Sequence, residues 1–495
     1  MKYRSTRGNE QILKSAEAII AGIAEDGGLF IPTELPKISP DFLKSLLSAT
    51  YQECAEKILG QFLTDYTPAE LKQCVEKAYG NSKFDTDLIA PLQSFVDHEN
   101  ILELWHGPTS AFKDMALQLL PQLMSTALVK TGEKSEIVIL VATSGDTGKA
   151  ALEGFKDVDQ IRIMVFYPKA GVSKIQRQQM VTQTGENVAV AAVTGNFDDA
   201  QTGVKRIFND VDFNKMLKNQ GFQLSSANSI NWGRLVPQIV YYFNSYAQMV
   251  SHNKIKFGDS INFVVPTGNF GNILAGFYAK CMGLPINKLV CASNANNVLT
   301  DFLRTGIYNR QRDFFKTITP SMDILISSNL ERLLYHIGGG DSKQICRWMS
   351  QLAEVGSYNV GADYLAKIQS TFWAGWADDK QTAAKIKAVY QQHNYIVDTH
   401  TAVAWQVSDA YKQITEDTTP TVIVSTASPY KFNDSVLDAL AIDKKNADEF
   451  DLLDTLAKYN SAPIPIGLAN LRTAKVLHQQ ICTKEDMINI VKTIL

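Results

Sequence analysis

A chain of 495 residues, 45% hydrophobic and 20% charged, has the composition of a globular protein, which excludes a disordered or fibrous one. Lys and Arg number 48 against 51 Asp and Glu, a net charge of -3 with no long basic block, so no nucleic-acid partner is expected and small molecules are. No apolar run reaches the length of a bilayer span and the start MKYRSTRGNEQ has no apolar signal core, so the expected setting is cytoplasmic, with no membrane partner.

In chain order, residues 1–95 are expected to form a mainly helical N-terminal domain, with helical spacing over 15–23, 41–47 and 68–78 and a short apolar run at 29–31. Residues 96–225 are expected as a smaller α/β domain. Apolar, β-branched runs at 101–105, 137–142, 161–167 and 188–193 alternate there with helical stretches, as strands buried on both faces should. Residues 226–495 are expected as a large α/β domain, with strands at 261–265, 289–293 and 422–424. A mainly helical insertion is predicted between about 307 and 400, and C-terminal helices of structural role only after about 440. The predicted fold class is α/β, with mostly parallel, doubly wound sheets. The cysteines Cys54, Cys74, Cys281, Cys291, Cys346 and Cys482 form no C-x-x-C pair and have no His at ligand spacing, so free thiols and no metal site are expected.

One lysine stands out. Lys113 follows the Gly107-Pro108-Thr109 break after a strand and precedes a helical run, where desolvation by Trp105, Phe112 and Met115 would favour a neutral, nucleophilic amine. A solvated lysine at a helix start is the plainer alternative, so other stretches must carry the case. The loop Thr143-Ser144-Gly145-Asp146-Thr147-Gly148 lies between a strand and a helix, where N–H groups and hydroxyls suit a carboxylate or phosphate; Asp146 or Thr147 could equally be a simple cap. Gly148-Lys149 is not a nucleotide phosphate loop, because Thr143 replaces the first glycine and Ala150 the hydroxyl residue.

The run Thr267-Gly268-Asn269-Phe270-Gly271-Asn272, again a strand end entering a helix, reads as a phosphate cup or as a tight turn, and lacks the G-x-G-x-x-G order of a dinucleotide site. Asn228-Ser229-Ile230-Asn231-Trp232-Gly233-Arg234 offers amides and a guanidinium for a second anion, or a capping turn with a surface ion pair. In Ser425-Thr426-Ala427-Ser428-Pro429-Tyr430-Lys431, a hydroxyl at a strand end could face a ring nitrogen. His106 and His400 are given no catalytic role, since a lone His is more often a structural hydrogen-bonding group.

Together these stretches resemble the threonine synthase family, pyridoxal-phosphate enzymes of the tryptophan synthase β-like fold type. The likeness runs through YRSTRG at 3–8, DGGLF at 26–30, HGPTSAFKD at 106–114, TSGDTG at 143–148, NSINWGR at 228–234 and PTGNFGN at 266–272. The resemblance implies that Lys113 forms the imine with pyridoxal 5'-phosphate, that Gly268, Asn269, Phe270, Gly271 and Asn272 hold the cofactor phosphate, and that Thr426 faces the pyridine nitrogen. It implies that Thr143, Ser144, Gly145 and Thr147 take the substrate carboxylate, and that Arg234 with Asn231 takes the substrate phosphate. Asp146 departs from many relatives of the fold, which place Asn there against the cofactor's phenolic oxygen; a bare acid would repel a phenolate. The implied reaction turns O-phospho-L-homoserine and water into L-threonine and phosphate by γ-elimination and β-addition of water, the last step of threonine biosynthesis, in a monomer or homodimer. The rivals are a phospho-lyase or dehydratase using the same cofactor, and a non-catalytic small-molecule binder of the same fold.

Overall fold

The computed structural model describes the chain except residues 81–82, 96–98, 144, 170–171 and 446 and the side chain of Asp198. Among the described residues the larger sheet has six strands in the order Phe372–Trp376, Ile286–Ser293, Ile261–Pro266, Thr421–Ser425, Glu99–Glu103 and Leu92–Ser94. All its pairs are parallel except the last, and in register Ile423 lies between Val264 and Ile101. A wholly parallel second sheet runs Gln480–Cys482, Val188–Val193, Ile161–Pro168, Glu136–Ala142 and Phe222–Ser225. The central strands are buried along their whole length, as covering both faces of a parallel sheet with helices requires.

Helices Tyr51–Phe62 and Pro68–Tyr79 each start at a threonine that receives the N–H three residues on, with a glutamate there reaching back. Their apolar faces turn inward. Tyr3 donates to the carbonyl of Phe62 (2.9 Å), Tyr66 to that of Leu123 (2.9 Å) and Tyr79 to that of Met115 (2.6 Å). The indole of Trp232 sits among Tyr3, Phe62 and Tyr278 at 5.3–5.6 Å between ring centres. The N-terminal unit is therefore a buttress behind the segment that carries Arg234.

Three expectations about sheet membership change. Strand Glu99–Glu103 hydrogen-bonds to Thr421–Ser425, so it belongs to the larger sheet and not to the smaller α/β unit expected from residue 96. A buried apolar run reports burial on two faces but not which sheet it joins. Strand Phe372–Trp376 lies inside the stretch expected to be helical and pairs with Ile286–Ser293. Its Ala374 and Gly375 hide it from β propensity, yet a Cβ on Gly375 would come within 3.0 Å of Val407 on the helix Thr399–Thr415 that packs there. Strand Gln480–Cys482, in the tail expected to be helical, adds an edge to the smaller sheet. Among the described residues no helix is long and apolar enough to cross a membrane.

Candidate active site

Strands Glu99–Glu103, Thr421–Ser425 and Ile261–Pro266 are neighbours, all parallel, so the loops that follow them emerge at one carboxyl edge about 4.8 Å apart per strand. These loops carry Lys113, Thr426 and the 267–272 turn. The first two are stitched together. Leu104 N donates to Ser425 O (3.0 Å), Phe112 N to Thr426 O (2.8 Å) and Ser428 N to Ser110 O (3.1 Å), and Ala111 bridges Ala427.

Lys113 immediately precedes the short helix Asp114–Leu117 and is half-buried, its Nζ 4.9 Å from the centre of the Phe112 ring. Burial lowers its pKa to about 8; Asp146 opposes the change, while Arg234 and Lys431 add to it. A substantial neutral fraction near pH 7–8 follows, which a nucleophilic amine needs. Asp114, behind it, accepts from Thr109 N (2.8 Å) and Thr109 Oγ1 (2.7 Å), and burial raises its carboxyl to about 6.

The 267–272 turn is held from outside by its carbonyls. Ser327 Oγ donates to Gly268 O (2.9 Å), and both N and Nδ2 of Asn329 donate to Asn269 O (3.2 Å each). Phe270 adopts φ 63° with its ring buried, which turns the chain sharply into helix Gly271–Met282. A Cβ on Gly268 would lie 2.9 Å from Ser321 O. The N–H groups of residues 268 to 273 find no acceptor among the described residues. Asn272 Oδ1 accepts from Tyr241 (2.6 Å) and Tyr242 (2.9 Å), and its buried Nδ2 has no partner among the described residues. Donors without acceptors, at the positive end of a twelve-residue helix, fit a phosphate.

Asn231 and Arg234 part company. Asn231 Nδ2 donates to Ile19 O and Ser226 O (3.0 Å each) and its Oδ1 accepts from Gly233 N (2.8 Å), so this amide is a fully buried structural cap, contrary to the expected phosphate contact. Arg234 donates through one terminal nitrogen to Lys113 O (3.0 Å), while its buried Nε has no partner among the described residues. Burial lowers the guanidinium to about 10, so it stays charged. It remains a cation beside Lys113 with hydrogen-bonding capacity to spare.

From the smaller sheet, strand Glu136–Ala142 delivers the 143–148 loop. Thr143 Oγ1 accepts from Gly145 N (3.0 Å) and Gly148 N (2.9 Å), which shapes the loop, and Gly145 at φ 144° leaves room for Gln176, whose amide a Cβ would meet at 2.5 Å. Thr147 is half-buried in the first turn of helix Asp146–Phe155. Ser144 lies outside the described residues.

Asp146 is neither a bare acid nor a cap. Its Oδ1 accepts from Lys431 Nζ (2.7 Å) and Gln176 Nε2 (2.9 Å), and its Oδ2 from Ser321 Oγ (3.3 Å). Burial alone would raise this carboxyl, but the charges of Lys431 and Lys113 and the two hydrogen bonds to Oδ1 outweigh it and hold it well below the usual range. Sequence reasoning gave no role to Lys431, Ser321, Asn329, Tyr241 or Tyr242. Only Lys431 left a trace, as the one cation in a run already singled out. His400 donates its backbone N–H to Asp398 (2.8 Å), its Nδ1 lies 3.0 Å from the same oxygen, and its Nε2 accepts from Ser321 N (3.3 Å), a structural use.

Two mostly parallel sheets, a lysine at one carboxyl edge and a donor-lined cup beside it are the arrangement of a pyridoxal-phosphate-dependent enzyme, and residues 101–364 match the family described by that name. Residues 2–79 match the threonine synthase N terminus and 401–465 the threonine synthase C-terminal family. Threonine synthase of Eremothecium gossypii is 40% identical over 92% of this chain and 91% of its own. A PLP-bound threonine synthase from Brucella melitensis superposes with TM-score 0.88 at 36% identity, covering 100% of this chain and 99% of that one. Human threonine synthase-like 1 is 41% identical over 97% of this chain, which spans 65% of the length of that relative. The chain belongs to the threonine synthase family.

Proposed function

We propose that the protein is a threonine synthase that binds pyridoxal 5'-phosphate and converts O-phospho-L-homoserine and water to L-threonine and phosphate. The observation that carries this reading is the pairing of a desolvated amine, Lys113, with the donors of 268–273 and Asn272 that have no partner among the described residues, on loops that follow two strands of one sheet with a single strand between them. When bound, the cofactor supplies an electron sink for carbanions next to its imine nitrogen. The chain's own groups do the rest. The N–H groups of Gly268, Asn269, Phe270, Gly271 and Asn272 would hold the cofactor phosphate, Thr426 would face its pyridine nitrogen, and Lys113 would supply the amine and afterwards carry protons between substrate carbons. Arg234 receives the substrate phosphate and stabilises it as it leaves. Thr143, Ser144, Gly145 and Thr147 receive the substrate carboxylate. Two anion sites are needed because cofactor and substrate each carry a phosphate.

The test is to incubate the cofactor-loaded protein with O-phosphohomoserine and measure inorganic phosphate and threonine together. Equal release of both is expected, and Lys113→Ala should lose about 10²–10⁴-fold of it. Phosphate accompanied by 2-oxobutyrate would make the protein a lyase, and ligand binding undiminished in Lys113→Ala without turnover in the parent would make it a carrier.

A further inference from the structure

Asp146 comes from the smaller sheet and Lys113 from the larger, and one side chain touches the surroundings of both. Lys431, in the turn Pro429–Phe432 after strand Thr421–Ser425, is buried; its Nζ donates to Asp146 Oδ1 (2.7 Å) and to Thr109 O (2.9 Å). Thr109 in turn grips the carboxylate of Asp114, the residue after Lys113, through both its N–H and its hydroxyl. We propose that Lys431 is a positioning residue for Lys113, supplying the counter-charge that lets an aspartate stand beside the reacting amine and tying the turn that presents it.

A buried ion pair is weak evidence for stability, because two apolar residues of similar size often serve as well. Its value here lies in the charge count. Among the described residues four charged groups act on the Lys113 amine through their charge: Asp146 at the start of helix Asp146–Phe155, Lys431 in its turn, Arg234 in the short helix Trp232–Leu235, and Asp114, the residue that follows it. Two anions and two cations balance. Without Lys431 two carboxylates would face one guanidinium, and Lys113 would keep its proton to higher pH; without the charge of Asp146 two cations would drive the proton off sooner. The same balance answers the objection to an acid facing a phenolate, since Asp146 and Lys431 together present no net charge.

The inference rests on Lys113 being the reacting amine, but its test reads the amine itself. Protein stripped of cofactor is labelled with an acylating reagent across a pH series, and the Lys113 peptide is quantified by mass spectrometry. Lys431→Met should raise the midpoint of labelling by about 1 pH unit, Asp146→Asn should lower it by a similar amount, and the double variant should return near the parent. An unchanged or lowered midpoint in Lys431→Met, or a double variant that follows Lys431→Met, overturns the proposal. Should Lys431→Met fail to fold, Asp146→Asn against the double variant reads the same charge; a higher midpoint in the double is expected, and equal midpoints overturn the proposal. Borohydride trapping of pyridoxal phosphate on the parent protein separately tests the reading of Lys113.

Discussion

At His106 two carboxylates converge on one ring, Asp85 on Nδ1 and Glu103 on Nε2 (2.9 Å), and the ring stacks on Trp105 at 4.2 Å. Burial disfavours the imidazolium, but the two carboxylates more than offset this and raise its pKa from 6.5 to about 9. A raised folded-state value means that the ring's contribution to stability is complete below about 6.5 and is lost as pH climbs through about 9. Urea unfolding of His106→Gln beside the parent should show a stability gap that is widest below the lower value and narrows above the upper one. A gap that stays constant across that window would refute the charged assignment. Sequence reasoning left His106 structural and named Arg234, Lys113 and the 268–272 turn as candidates, of which Arg234 donates a hydrogen bond to the carbonyl of Lys113. It failed at Asn231, because the carbonyls that satisfy that amide come from Ile19 and Ser226, and a polar residue at a helix start looks the same whether it caps or binds.

Helix Asp146–Phe155 carries a loop of the site at one end and a steric constraint at the other. A Cβ on Gly154 would stand 1.9 Å from the carbonyl oxygen of Leu117, so only glycine lets this helix lie directly on the segment that begins at Lys113. Gly154→Ala should destabilise the fold by about 1–3 kcal/mol through overpacking and weaken carboxylate-bearing substrates as the 143–148 loop shifts outward. Thermal unfolding and KM report the two effects, and an unaltered melting midpoint would show that the contact relaxes freely. Elements of this kind were legible where long apolar runs met clear turn residues. The short strands were not, since three residues such as Gln480–Cys482 carry too little periodicity to separate strand from helix end.

The molecule as a whole closes on itself through its tail. Strand Gln480–Cys482 covers the Val188–Val193 edge, Met487 occupies the space beside Gly203, and Arg162 donates to the carbonyl of Leu495 (3.0 Å). Removing residues 479–495 should bare that edge and part of the smaller core, so limited proteolysis should speed up within 188–217 while the larger sheet stays resistant. Equal resistance of both regions would show that the tail adds nothing to the smaller sheet. The sequence announces two doubly wound units but not how the chain shares strands between them, because pairing partners distant along the chain leave no mark on local pattern.

That sharing has a mechanical outcome. Because strands Glu99–Glu103 and Ile261–Pro266 flank the same neighbour, Thr421–Ser425, the span between amine and anion cup is a property of one rigid plate. The 143–148 loop belongs to the other plate, so a displacement of that plate would alter its distance from Lys113 and leave the span from Lys113 to the 267–272 turn unchanged.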